Sequence, residues 1–117
     1  MITQNQGNIF DFLKEKINNL PTAIFAGNDV IAYETIKILD DLGLKVPEDI
    51  SVIGFDDTLI AKALKITSIK QPIEDISNIA FEMLMNKIKN KEQNKEIEQI
   101  ALNPILFKRK TTKKINI

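Results

Sequence analysis

The 117-residue chain contains no histidine, no cysteine and no tryptophan. The missing imidazoles and thiols exclude zinc sites of the common kind, disulfides, thiol nucleophiles and every acid–base scheme that runs through histidine. Any catalysis would have to come from carboxylates, amides, hydroxyls or lysines, and no set of these residues points to a catalytic, cofactor or metal site. No apolar run approaches the roughly 20 residues that cross a bilayer. The first ten residues, MITQNQGNIF, lack the basic start and apolar core of a secretory signal. A soluble, cytoplasmic protein with no membrane partner is expected.

Neither sign of charge is in excess, since 16 Lys and Arg face 16 Asp and Glu. Their distribution is uneven: residues 1–85 carry a net −6 and residues 86–117 a net +6. The basic end, KNKEQNK and then KRKTTKK, has no interleaved aromatics and a single arginine. It reads as a solvated edge or tail rather than a nucleic-acid surface. With 44% hydrophobic residues the chain can build a real core, enough for one small domain or a piece of a larger one.

Apolar residues Ile9, Phe10, Leu13, Ile17 and Leu20 recur at helical spacing and predict an amphipathic helix that stops at Leu20-Pro21. The short apolar run Thr22 to Ala26 predicts a strand buried on both faces, as in a parallel sheet. A second helix is expected from Asp29 to Leu42, closed by Gly43 in a left-handed conformation. Strands follow at Ser51 to Phe55 and Thr67 to Lys70, separated by a short helical or irregular stretch from Leu59 to Leu64. Ile73, Ile76, Ala80, Met83, Leu84 and Ile88 mark a third amphipathic helix with Pro72 near its start. Glu96 to Leu102 and Pro104 to Lys110 read as two further strands. This alternation predicts an α/β fold of three layers, a largely parallel sheet flanked by helices.

Polar residues gather where strands end: Asn28-Asp29 after the first, Asp56-Asp57 after the second, Lys70-Gln71 after the third. In open α/β sheets, ligands sit beyond the carboxyl ends of the strands. Asn28, Asp56 and Gln71 would converge there as one carboxylate and two carboxamides. A carboxylate accepts two hydrogen bonds side by side and each amide offers a donor and an acceptor, a set suited to sugars and nucleosides. Asp29 and Asp57 are assigned instead to capping the helices that follow.

The segments PTAIFAGND (Pro21 to Asp29), GLKVPEDISVIGFDD (Gly43 to Asp57) and TSIKQP (Thr67 to Pro72) closely resemble three segments of the LacI-type transcription regulators, in that family's order and at about its separations. The resemblance covers nearly the whole chain, and VPED before VIGFDD is its most specific element. It implies a lobe of the type I periplasmic-binding-protein-like fold and a homodimer. It also implies a small-molecule effector contacted by Asp56, Asn28 and Gln71. Operator DNA would be bound only through an amino-terminal domain that this sequence does not contain, so the chain is expected to be a carboxy-terminal fragment. Residues 1–72 would then belong mainly to the carboxy-terminal lobe. Residues 73–95 would be a helix normally packed with the other lobe, and 96–117 the terminal strands. The family's two-fold interface maps onto Asp29 to Leu42 and Thr58 to Ile66, with Val30, Tyr33, Leu59, Ile60, Leu64 and Ile66 as contacts.

Two other classes bear on the same residues. FDDTLI (Phe55 to Ile60) is similar to the FDxDxTL motif of haloacid-dehalogenase-like phosphatases, but superposing the DDTL portion puts Gly54 where the nucleophilic aspartate must stand. Glycine cannot form an aspartyl-phosphate, so a non-enzyme is expected. PTAIFAGND by itself would also suit a solute-binding protein of a sugar transport system. That alternative calls for a secretory signal and usually lacks the VPED turn.

Overall fold

The computed structural model describes residues 6–90 and 97–116. Helices and strands alternate through it: α1 (Gln6–Glu15), β1 (Ala23–Phe25), α2 (Asp29–Asp41), β2 (Ser51–Phe55), α3 (Leu59–Ala63), β3 (Thr67–Lys70), α4 (Ile73–Lys89) and β4 (Ile105–Phe107). The strands form one sheet in the order β1-β2-β3-β4, and the β1-β2 and β2-β3 pairs are parallel. An open, mostly parallel sheet flanked by helices is the fold class that the alternation predicts. Two compact units divide the chain, residues 1–70 with 106–117 and residues 71–105.

In the first unit Ile24 of β1 lies opposite Val52 of β2, and both are buried. Ile9 and Leu13 of α1, with Ile31, Ala32 and Leu39 of α2, complete a core that also takes in Ala26, Ile50, Ala61 and Ile66. Each large aliphatic side chain buried there contributes about 1.5–3 kcal/mol. Strand β1 is buried on one face only. Ile24 points inward while Phe25 is exposed, its ring set edge-on to Phe55 with centroids 6.1 Å apart. An apolar run of this length cannot by itself distinguish one covered face from two.

Helix α1 ends at Glu15, five residues short of the predicted stop, and Lys16 to Asn19 continue as turns in which Asn19 N–H donates to the Lys16 carbonyl at 2.8 Å. Asn18-Asn19 ahead of Pro21 favour turns over helix, which accounts for the early end. Helix α2 closes as expected: Gly43 has φ +77°, and the Leu44 and Gly43 N–H groups donate to the carbonyls of Leu39 and Asp40 at 2.8 and 2.9 Å.

The carboxy-terminal segment differs most from expectation. Of the predicted strand Glu96 to Leu102, Glu96 lies outside the described residues and 97–102 have no regular structure, with Ile97 84% exposed. The strand predicted over Pro104 to Lys110 is confined to β4. The KRKTTKK run is not a solvated tail, because its backbone crosses the starts of β2 and β3. Val52 N–H donates to the Thr111 carbonyl at 2.8 Å, Thr111 Oγ1 donates to the Val52 carbonyl at 2.6 Å, and Thr67 N–H donates to Thr111 Oγ1 at 2.9 Å. Thr111 is buried as a result, while the lysines on either side remain exposed.

In the second unit α4 spans the apolar positions predicted for it, Ile73 to Ile88, and none of its side chains is buried, while residues 91–95 of the helix expected over 73–95 lie outside the described residues. Ile73, Ile76, Phe81, Leu84 and Ile88 are all exposed. No helix among the described residues is long and apolar enough to cross a membrane.

Candidate functional site

Parallel pairing puts the carboxyl ends of β1 and β2 side by side, with Phe25 level with Ile53. Asn28 follows β1 by three residues, and Asp56 follows β2 directly, its N–H still donating to the Ile69 carbonyl at 2.8 Å. These two therefore stand on one rim of the first unit. Gln71 is half-buried and follows the last residue of β3, but it is the first residue of the second unit.

Asn28 has a structural duty on that rim. It is the N-cap of α2, its Oδ1 accepting from the Ile31 N–H at 2.9 Å. The cap commits the amide oxygen and leaves the NH2 group as the part that suits a ligand acceptor. Asp56 is exposed and has φ +93°. Asp57 has φ +50°, so two consecutive L-residues occupy the left-handed region. That region crowds Cβ against the following carbonyl and costs each of them about 1–2 kcal/mol.

Neither Asp29 nor Asp57 is a helix cap. The caps are Asn28 for α2 and Thr58 for α3, and the Thr58 side chain makes no capping hydrogen bond. Asp29 is fully buried at the first position of α2, where the helix dipole favours negative charge. Its Oδ2 accepts from the N–H and Oγ1 of Thr58 at 2.6 and 2.8 Å, and its Oδ1 accepts from Ser68 Oγ at 2.5 Å. Asp57 sits beside this group, its N–H donating to Ser68 Oγ at 3.1 Å. The Asp57 carboxylate is buried against Arg109, Oδ1 lying 2.6 Å from Nη2 in a charge contact rather than an aligned hydrogen bond. Lys62 stands 3.9 Å away on its other oxygen. Arg109 also donates through Nη1 to the Ile66 carbonyl at 2.8 Å.

Arg109, Ser68 and Gly54 are the residues that sequence reasoning missed. Glycine inside a strand often marks a close approach of other atoms, and Gly54 does so here. A Cβ at that position would stand 2.3 Å from Asp29 Oδ1. Gly54→Ala is therefore expected to cost about 1–3 kcal/mol in urea denaturation, the usual penalty of overpacking a filled interior. A variant as stable as the wild type would show that the carboxylate is not pinned there.

The residues mapped to a two-fold interface divide in the structure. Val30, Tyr33, Leu59 and Leu64 are exposed, Leu59 at 80%, and Ile60 is half-buried. Val30, Tyr33 and Ile60 line one groove together with Phe10 and Ile38. Ile66 does not belong to this surface, for it is 1% exposed and packs in the core of its own unit. Its place just before β3 turns it inward. Among the described residues, no group of three or more carboxylates is placed to hold a metal ion.

Residues 3–112 match the family of periplasmic binding protein-like domains. The chain is 43% identical over 98 residues to the HTH-type transcriptional repressor PurR of Vibrio vulnificus (strain CMCP6), an alignment covering 82% of this chain and 29% of that protein. It thus spans less than a third of the length of the curated relatives it matches. Among solved structures it resembles a LacI family transcriptional regulator from Enterococcus faecium with bound ribose, at TM-score 0.71 and 29% identity, covering 92% of this chain and 40% of that one. It also resembles the lac repressor dimer bound to operator and the anti-inducer ONPF, at TM-score 0.74 and 30% identity, covering 91% and 36%. The parallel sheet and these likenesses agree: the chain belongs to the periplasmic binding protein-like domain family, in the form found in LacI-type regulators.

Proposed function

We propose that this chain is the effector-binding and self-association part of a bacterial transcriptional repressor that works in the cytoplasm by binding, without catalysis. The observation that carries the reading is the rim itself, where an exposed Asp56 in a strained backbone conformation follows β2 and the Asn28 amide follows the neighbouring strand β1. Such strain persists where the surrounding fold over-determines it, and it concentrates at ligand sites. Asp56 accepts a pair of ligand hydroxyls and Asn28 donates through its NH2 group. The ligand class is a sugar or nucleoside. The solved LacI family transcriptional regulator with bound ribose supports the polyhydroxylated part of that class.

In the intact protein, α4 packs with the other lobe of the effector domain, and a ligand held between the lobes favours one of their arrangements. Operator affinity shifts only as far as the ligand discriminates between those arrangements. A reporter gene under the regulator's own operator, in cells carrying the whole gene, tests this reading. At least one sugar or nucleoside added to the medium is expected to change expression, and indifference to both classes would contradict it.

The exposed apolar residues Val30, Tyr33, Leu59 and Leu64 give a second consequence, because contiguous apolar surface normally marks a contact. The chain is expected to sediment as a homodimer, and Leu59→Glu with Leu64→Glu is expected to sediment as a monomer, since unpaired charges cannot be buried in an interface. Both side chains are exposed, so the double change spares the core. A monomeric wild type at tens of micromolar would remove this part of the proposal.

A further inference from the structure

A buried polar cluster stands behind the rim, and it grips the residues that follow Asp56. Ser68 Oγ is its centre: it accepts from the Asp57 N–H at 3.1 Å and donates to Asp29 Oδ1 at 2.5 Å. The other Asp29 oxygen holds Thr58 through both its N–H and its hydroxyl, at 2.6 and 2.8 Å. Gly54 leaves the space that the carboxylate occupies. Asp56 itself is tied at its N–H to the Ile69 carbonyl. Residues 56–58 are thus fixed from both sides while Asp56 and Asp57 stay in the left-handed region, at φ +93° and +50°. L-residues leave that region unless something holds them there.

We infer that Asp29 is a positioning residue, which through Ser68 and Thr58 holds the Asp56-Asp57 turn in its left-handed conformation and so fixes where the Asp56 carboxylate stands on the rim. The functional meaning rests on the reading of Asp56 as a ligand contact, whereas the conformational statement rests on the geometry alone. Chemistry supports the choice of an acid at position 29. Three donors converge on it, two on one oxygen and one on the other. A carboxylate accepts all three, and an amide would turn its NH2 group toward at least one of them. The same carboxylate reaches Thr58, the cap of α3, so the rim and the exposed Leu59 share one anchor.

Nuclear magnetic resonance of the isotopically labelled full chain tests this without any ligand. Left-handed residues bring the amide proton close to its own Hα and give a strong intraresidue nuclear Overhauser effect, which extended residues do not. The wild type is expected to show that signal at Asp56 and Asp57. Ser68→Ala and Asp29→Asn are expected to lose it there while the amide shifts of Val52 and Leu39 in the core stay in place. Ser68→Thr, which keeps the hydroxyl, is expected to retain it. An undiminished signal in both Ser68→Ala and Asp29→Asn overturns the inference. So does global unfolding of both, because the cluster would then be a determinant of folding rather than of local conformation. Absence of an effector response in the reporter experiment would instead count against the ligand reading and leave these spectra to decide the positioning role.

Discussion

Arg109→Met is expected to destabilise the chain by about 3–5 kcal/mol, the cost of removing one partner from a buried ion pair. The Asp57 side chain is 2% exposed and that of Arg109 is 17% exposed, so solvent screens their 2.6 Å contact little. Methionine fills a similar volume but leaves the carboxylate, among the described residues, with Lys62 as its remaining ion-pair partner, at 3.9 Å and on the far oxygen. It also leaves the Ile66 carbonyl without the Nη1 donor. Lysine at position 109 should recover part of the loss, since it restores the charge without the planar fork that serves both acceptors. Pairing Arg109→Met with Asp57→Asn should recover more, because the stranded charge is gone. The check is urea denaturation beside Lys108→Met, an exposed control expected to stay within about 0.5 kcal/mol of wild type. If Arg109→Met behaved like that control, the ion pair would not hold the carboxy-terminal segment to the β2-α3 turn.

This prediction concerns a residue whose role was invisible in the sequence, and the reason is physical. Local periodicity reports which side of a helix or strand is covered, and by that signal β2, β3, α2 and α4 were legible to within a residue or two. The rim was legible for a similar reason, since strand ends and the polar residues after them are adjacent in sequence. Contacts across the fold leave no such trace. Asp57 meets an arginine 52 positions later, and Asp29 meets a serine 39 positions later. An aspartate after a strand looks the same whether it caps a helix or anchors a loop, so local sequence assigns Asp29 and Asp57 to caps. A weak signal was available at Thr111-Thr112, since β-branched residues inside a lysine-rich run suit a pleated backbone better than a solvated tail. Gly54 in mid-strand was another. The strand predicted over Glu96 to Leu102 failed in the opposite sense: its apolar residues suit a sheet, but Ile97 and Ile100 are exposed in the structure.

Asp56→Ala in the intact regulator tests the central claim most directly. The measurement is binding of the sugar or nucleoside that moves the reporter, followed by calorimetry, together with operator affinity in the absence of that ligand. Asp56 is exposed and lies outside the hydrophobic core, so the substitution should leave the fold and operator binding intact. Loss of two hydrogen bonds to a charged acceptor, about 3 kcal/mol, predicts effector affinity weakened about 100-fold or more. Operator affinity unchanged, with effector response abolished, is the predicted result. Effector affinity unchanged, or effector and operator binding lost together, would contradict the assignment of Asp56 as the carboxylate that grips the ligand.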